Sequence, residues 1–219
     1  LKELPEDGTP LKHRHIMFGH AFKGQHSGRI LLDRFKAGGG TLYDLEYLVD
    51  EDGRRVAAFG YWAGFAGAAV SLMAWTAQRR GEICGPVAPY ASKDALLASL
   101  GEELRSSEER PAALVIGALG RVGSGAADLV IGVLGRVGSG ASDLCKAMDL
   151  PVTRWDMAET ASGGPFPEIL AHDIFLNCIF ARPGTPVFVP REALSQSRTL
   201  SVIGDVACDP DSDYNPVPV

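Results

Sequence analysis

A fifteen-residue phrase occurs twice in succession and carries the glycine spacing of a nucleotide-binding loop. The copies are LVIGALGRVGSGAAD at 114–128 and LVIGVLGRVGSGASD at 129–143. In each copy an apolar run leads into glycines spaced G-x-x-G-x-x-G. Such glycines permit a tight turn and let the backbone approach a pyrophosphate, and a following helix offers free N–H groups. The pattern predicts a nucleotide site, with a ligand-free glycine-rich turn as the alternative.

An aspartate after the next apolar run indicates which nucleotide is bound. Asp156 follows VTRW, where an acidic residue accepts hydrogen bonds from an adenosine ribose. This favours NAD over NADP, because a carboxylate repels the 2′-phosphate. The acid ordinarily lies about twenty residues beyond the loop, and Asp156 lies 18 residues after Gly138 but 33 after Gly123. The second copy is therefore predicted to supply the working loop, through Gly132, Gly135, Arg136 and Gly138.

The first copy would then be an inserted strand or an extruded loop. The opposite register keeps the first strand and loop in place and pushes out the second copy. A solenoid is excluded, because two copies of fifteen residues cannot form stacked βα units.

Three histidines near the amino end, His13, His15 and His20, raise the question of a metal site. The i, i+2 spacing of the first two favours a strand or loop, and neither a carboxylate nor a cysteine completes a ligand set. No metal is predicted.

The elements that would position these residues follow from the apolar patterning. From Ala112 onward, short apolar runs alternate with helical or loop stretches, which is typical of buried parallel strands joined by crossovers. The runs are ALVIGAL, LVIGVL, VTRW, IFLNCIF and TLSVI. Before them, Ser92 is predicted to cap a helix whose inner face carries Leu96, Leu97 and Leu100.

The stretch 56–75 has twenty residues without a charge and contains Gly60 and Gly64 in a GxxxG pattern. A transmembrane helix has this length and this packing motif. The other interpretation is a small-residue helix buried inside a globular protein. The second is favoured, because the segment is rich in Ala and Gly and poor in Leu and Ile.

Composition excludes some partners. The chain has 219 residues, 46% of them hydrophobic and 22% charged, with a net charge of -6. An acidic protein does not favour nucleic acid or an anionic membrane surface as a partner. The four cysteines lack metal-site or redox spacing, so a cytoplasmic location is expected. The chain begins at Leu1 and stops at Val219, and both ends are expected to be cuts through a longer chain.

A set of longer motifs resembles the NAD-dependent, lysine-forming saccharopine dehydrogenases. The resemblance extends along essentially the whole chain, and only the doubled loop has no counterpart. The motifs are KELP at 2–5, HIMFGHAFKGQ at 15–25, GGTLYDLEYL at 39–48, GRRVAAFGYWAGFAGAA at 53–69, LVIGALGRVGSGA at 114–126, RWDMAET at 154–160, GGPFPEI at 163–169, DIFLNCIF at 173–180 and GDVACDPDSDYNPVPV at 204–219.

The resemblance implies a reaction, its cofactor and its site residues. Saccharopine would lose a hydride to NAD, and hydrolysis of the resulting imine would give lysine and 2-oxoglutarate. Lys2 would be the base and His20 the acid. Substrate contacts would come from Lys2, Gln25, Arg55 and Phe59. Cofactor contacts would come from Arg54, Asp156, Thr160, Phe180 and Val206, with Gly135 and Arg136 of the loop, or Gly120 and Arg121 in the first copy.

The sequence departs from the family pattern at two places. Phe180 stands where a Tyr is common, so a hydroxyl contact is lost. Val122 or Val137 stands where some members have a Cys near the position of Cys178, so a disulfide is not expected there.

The implied fold is α/β, with two Rossmann-like domains whose parallel sheets are flanked by helices, the first domain being incomplete. Residues 1–58 would form a partial substrate domain. Residues 59–219 would form the NAD-binding domain, with a connector helix at 56–75. A monomer without nucleic-acid or membrane partners is expected. The alternatives are a catalytically inactive nucleotide-binding fragment and a membrane-associated protein anchored by 56–75.

Overall fold

The computed structural model describes residues 4–5, 7–22, 26–51, 56–57, 60–107, 109–117, 131–179, 181, 183–206 and 213–217, with the backbone alone for 131–136. The chain divides into two compact units, Leu1–Ala58 and Phe59–Val219. The assignment of these units as substrate and NAD-binding domains stays a prediction.

The first unit is built on a parallel strand pair. Strand β1 (Arg14–Met17) and strand β2 (Thr41–Asp44) are joined by helix α1 (His26–Gly38). They pair from Arg14 with Thr41 to Met17 with Asp44. Gly39 leaves the helix with φ of 70°, a left-handed conformation that glycine adopts at little cost. Because the strands are parallel, the segments that follow Met17 and Asp44 leave the same edge of the sheet.

The second unit contains a parallel sheet of four strands in the part of the chain that is described. They are β3 (Ala113–Ile116), β4 (Val152–Trp155), β5 (Ile174–Asn177) and β6 (Val202–Asp205), and their order is β4-β3-β5-β6. The sheet is covered on both faces, so its central strands β3 and β5 are buried at every position and are apolar except at Asn177. The predicted α/β fold with parallel sheets flanked by helices is confirmed.

Side chains alternate between two cores along the central strands. Ala113 and Val115 point into a core formed with the helices, whereas Leu114 and Ile116 point into a second core on the other face. The helices are α2 (Tyr61–Arg79), α3 (Lys93–Arg105) and α4 (Ile131–Ala147). The second core includes residues of the 3-10 helix Pro167–Ala171, and side chains of the 3-10 helix Arg191–Ser195 pack against it.

The apolar stretch 56–75 forms most of helix α2. The buried residues of this helix include Phe65, Leu72 and Trp75. The predicted bounds need correction. The helix begins at Tyr61, because Gly60 has a non-helical backbone, and it continues to Arg79. Gly81 follows with φ of 74° and ends it. Within the described residues no helix has the length and apolarity needed to cross a membrane.

The predicted cap of helix α3 is confirmed. The Ser92 hydroxyl oxygen accepts a hydrogen bond from the backbone N–H of Ala95 at 3.1 Å. Leu100 is fully buried, and Leu96 and Leu97 pack against the same core.

The second copy of the repeated phrase is not the strand and loop that its sequence predicts. Its residues 131–143 lie in helix α4, so Gly132, Gly135, Arg136 and Gly138 are helical. The strand comes from the first copy, since β3 contains Leu114, Val115 and Ile116. Both flanks of β3 are already paired, with β4 and β5, so the second apolar run has no place beside it. Residues 118–130 lie outside the described part of the chain.

Helix α4 uses its glycines for close packing against α2. A Cβ atom added to Gly140 would collide with the carbonyl oxygen of Tyr61, and one added to Gly64 would collide with that of Val137. Glycine at both positions allows the two backbones to approach. The GxxxG pattern therefore contributes Gly64 to a helix crossing inside the second unit.

Ser142 differs from its first-copy counterpart, Ala127, and its hydroxyl oxygen is buried without a hydrogen-bond partner among the described residues. An unpaired buried hydroxyl costs roughly 1–3 kcal/mol, and alanine is the better helix former. We expect Ser142→Ala to raise the free energy of unfolding by about 1 kcal/mol. Denaturant titration followed by tryptophan fluorescence measures this, since Trp62, Trp75 and Trp155 all lie in the second unit.

The matched control is Ser71→Ala in helix α2. Ser71 is also buried, but its hydroxyl donates a hydrogen bond to the Gly67 carbonyl oxygen at 2.8 Å. This variant should be less stable than Ser142→Ala by about 1 kcal/mol. A loss of stability in Ser142→Ala would mean that its hydroxyl is paired.

Candidate functional site

In parallel α/β sheets, ligands bind outside the carboxyl ends of the strands. Each unit presents polar side chains at that edge. In the first unit they lie at or just after the ends of β1 and β2, and in the second they lie at or just after the ends of β4, β5 and β6. The two sites are described separately.

His20 lies in the segment that follows β1. Its Nδ1 atom is 3.4 Å from a carboxylate oxygen of Glu46, which lies two residues beyond β2. The His20 side chain is 49% exposed, whereas that of Glu46 is 13% exposed. The imidazole ring also stacks on Phe18, with ring centroids 6.4 Å apart. A carboxylate on one ring nitrogen orients the imidazole and leaves Nε2 to face a ligand.

Asp44, the last residue of β2, is buried and bonded to both segments. Its carboxylate accepts hydrogen bonds from the backbone N–H groups of Gly19 at 3.1 Å, Ala21 at 3.2 Å and Glu46 at 3.0 Å. Sequence reasoning did not select Asp44 or Glu46, although both lie in the quoted motif GGTLYDLEYL. The signal available was two carboxylates directly at the end of a strand.

The second unit has a topological switch point at the carboxyl ends of β3 and β5. From β3 the chain crosses to β4 on one side and then to β5 on the other, and in open α/β sheets ligands bind at such a switch point. Gly117 leaves β3 there with φ of 87°, and its N–H donates to the Trp155 carbonyl oxygen at 2.8 Å. A Cβ atom at Gly117 would lie 3.0 Å from the Cys178 carbonyl oxygen, so both backbone angle and space favour glycine.

Asp156 follows β4 at the same edge. One carboxylate oxygen accepts from the backbone N–H of Met157 at 2.9 Å, while the other is buried and has no hydrogen-bond partner among the described residues. Thr160 is close by, since its hydroxyl donates to the Asp156 carbonyl oxygen at 2.8 Å. The predicted residues Asp156 and Thr160 are thus brought together, and Asp156 keeps an acceptor available for a ligand hydroxyl.

Val206 follows β6 at the far side of the sheet, about 14 Å from β4 at three strand spacings. Its N–H donates to the Asn177 carbonyl oxygen at 3.0 Å. Asn177 is 1% exposed, and its amide nitrogen donates to a carboxylate oxygen of Asp205 at 2.9 Å. Sequence reasoning missed this pair, whose signal was one amide inside the apolar run IFLNCIF.

The buried thiols near this edge remain protonated at neutral pH. Burial raises the pKa of Cys145 to about 11. Burial, with the nearby Cys145 and Asp205, raises the pKa of Cys178 to about 12. The thiolate is the reactive form of cysteine, so burial disfavours reactivity at both positions, and both side chains belong to the hydrophobic core.

Several predicted site residues lie outside the described part of the chain. They are Lys2, Gln25, Arg54, Arg55, Phe59, Gly120, Arg121 and Phe180. Gly135 and Arg136 are described by their backbone alone, in the second turn of α4. Their roles stay predictions.

Comparison with curated proteins shows which known enzymes this chain is similar to. The whole chain matches the saccharopine dehydrogenase (NAD(+), L-lysine-forming) of Yarrowia lipolytica with 45% identity, covering 58% of that protein. It matches the enzymes of the same name from Schizosaccharomyces pombe with 43% identity and from Neurospora crassa with 46%, covering 59% and 57% of them. Over its whole length, the chain is similar to members of the saccharopine dehydrogenase family.

The match has a defined extent. The chain spans somewhat less than three fifths of the length of these relatives, while every part of it is covered by the comparison. No model of a known protein family matches the chain. The predicted family resemblance is therefore confirmed by whole-chain similarity to individual family members.

Proposed function

We propose that this protein catalyses the NAD-dependent oxidative cleavage of saccharopine to lysine and 2-oxoglutarate, as a monomer. The observation that carries the proposal is the match of the whole chain to dehydrogenases that are named for NAD(+) and for lysine formation. The chemistry at the two sheet edges supports it, since one edge offers a proton-transfer group and the other a hydroxyl acceptor.

The proposed proton-transfer residues lie in the first unit. When the secondary amine of saccharopine is oxidised, the imine takes up water and the resulting carbinolamine collapses to two products. These steps require proton exchange at the nitrogen and oxygen of the substrate. His20 would exchange the proton through Nε2, while Glu46 holds Nδ1 from the other side at 3.4 Å. Lys2 is proposed as the second proton-transfer group.

The residues at the edge of the second unit fit NAD. The unpartnered carboxylate oxygen of Asp156 suits a ribose hydroxyl, and the carboxylate would repel the 2′-phosphate of NADP. Gly117 lets the backbone approach a pyrophosphate at the switch point, and the amino end of α4 offers backbone N–H groups. Bound NAD would supply the hydride acceptor.

The test is the reverse reaction, followed by NADH absorbance with lysine and 2-oxoglutarate. Loss of NADH that requires both co-substrates supports the proposal. NADH binding without turnover would instead favour an inactive nucleotide-binding chain. Absence of both activity and binding would overturn the proposal.

Asp156→Ala provides a separate prediction on cofactor binding. Removing a carboxylate that bonds the ribose should weaken NADH affinity about 10- to 100-fold, which is the loss expected for a charge-assisted hydrogen bond. The variant should also discriminate less strongly between NADH and NADPH, because the charge that repels the 2′-phosphate is gone. Fluorescence titration measures both affinities. Asp149→Asn, at an exposed acid of the same unit, is the control and should bind as the wild type does. Equal NADH affinity in Asp156→Ala would argue against the assigned contact.

We further propose a cytoplasmic location. The three cysteines within the described residues, Cys84, Cys145 and Cys178, are free, which suits a reducing compartment. Cell fractionation tests this directly.

A further inference from the structure

A buried carboxylate at the end of β2 connects the two segments that carry His20 and Glu46. Asp44 is 7% exposed. Its Oδ1 atom accepts from the N–H groups of Gly19 and Glu46, and its Oδ2 atom accepts from the N–H group of Ala21. Hydrogen bonds to an ionised acceptor are stronger than those between neutral groups. Three such bonds fix the backbone on both sides of His20 and at Glu46.

His20 needs this support because its backbone is unfavourable for a residue with a side chain. Its φ is 48°, in the left-handed region. Such a conformation persists only when the surrounding structure holds it. Gly19 and Ala21, the two neighbours of His20, are both held by Asp44. Without the carboxylate the segment is expected to relax and turn the imidazole away from Glu46.

We propose that Asp44 is a positioning residue, whose carboxylate holds the His20 imidazole against Glu46 in a geometry competent for proton transfer. The inference rests on the proposed function, in which His20 exchanges a proton with the substrate. Asp44 acts through the backbone, since the hydrogen bonds of its carboxylate with described residues come from main-chain N–H groups. Displacing a proton-transfer group by about 1 Å is enough to lower turnover about 100-fold.

The test is Asp44→Asn in the full chain. The amide has nearly the shape of the carboxylate, but its NH2 group cannot accept a hydrogen bond, so a donor faces a backbone donor. We expect kcat to fall about 10- to 100-fold, while KM for NADH and NADH affinity stay unchanged. Asp33→Asn, at an exposed acid on α1, is the matched control and should keep kcat within about twofold. An unchanged kcat in Asp44→Asn would overturn the proposal.

A second measurement separates this proposal from the proposed function. A nuclear Overhauser contact between the His20 ring and the Glu46 side chain is expected in the wild type and should be lost in Asp44→Asn. If the wild type shows no turnover, the proposed function fails, while loss of this contact still supports positioning. Persistence of the contact in the variant overturns positioning whether or not the chain is active.

A second variant, Gly19→Ala, disturbs the contact between Gly19 and Asp44 from the Gly19 side. A Cβ atom at Gly19 would lie 3.2 Å from the Asp44 carboxylate and 3.1 Å from Leu42. If Asp44→Asn does not fold, Gly19→Ala should lower kcat in the same direction by about 3- to 10-fold and weaken the His20–Glu46 contact. No change in either quantity would contradict the role assigned to Asp44.

Discussion

Replacing His20 by Gln is expected to lower kcat for lysine- and 2-oxoglutarate-dependent NADH oxidation by about 100- to 1,000-fold, because general acid–base catalysis contributes that much. Gln keeps the approximate size and polarity of the side chain but cannot exchange a proton. NADH affinity should not change, since the predicted cofactor residues with described side chains lie in the second unit. Steady-state kinetics and fluorescence titration measure the two effects.

His13→Gln is the matched control for this prediction. His13 is exposed and precedes β1, at the opposite end of the strand from His20. It should retain the wild-type kcat. If His20→Gln keeps kcat within about fivefold of the wild type, His20 is not the proton-transfer group.

Gly64→Ala is expected to destabilise the second unit by about 3 kcal/mol, the upper part of the range for overpacked cores. The added methyl group would collide with the backbone carbonyl of Val137, and a backbone cannot rotate away as a flexible side chain can. Helices α2 and α4 would have to separate, and the core that they share with the sheet would open. Denaturant unfolding followed by tryptophan fluorescence provides the measurement.

Gly101→Ala is the control, because it makes the same chemical change inside a helix without a backbone collision. At Gly101 the added Cβ would meet only the end of the Arg105 side chain, at 3.6 Å. Helix propensity should then raise stability by about 0.5–1 kcal/mol. A Gly64→Ala protein as stable as the wild type would show that α2 and α4 are not in close backbone contact.

The location of the candidate nucleotide site, at the carboxyl edge of the second sheet, was partly predictable from sequence. Continuous apolar runs such as ALVI and IFLN indicate strands covered on both faces, and such strands are parallel. Parallel strands place their carboxyl ends together, so Asp156 was expected at the same edge as the glycine-rich loop, although that loop was assigned to the second copy and Gly117 of the first copy lies there instead. The buried oxygen of Asp156 is consistent with that expectation. Ser92 also acted as expected, because an N-cap depends only on the next few residues.

The His20 site was predictable only in part. His20 was selected through the family resemblance, but Glu46 and Asp44 were not selected. These acids are separated from His20 by more than twenty residues, and helix α1 lies between them. Only the parallel pairing of β1 with β2 brings the segments into contact. Such proximity is a property of the pairing register, which is not encoded in any short motif.

The doubled phrase shows most directly which features can be predicted from the sequence and which depend on tertiary contacts. By itself the sequence determined the parallel α/β class and the acid after β4, because each depends on local apolar patterning, but it did not determine which copy of the phrase forms the strand. It did not determine the conformation of the second copy. Ile116 and Gly117 form the end of a strand and a left-handed turn, whereas the identical pair Ile131 and Gly132 begins helix α4. The physical reason is that β3 has both of its edges paired, while Gly140 of α4 and Gly64 of α2 permit a backbone contact between these helices that a Cβ atom at either position would block.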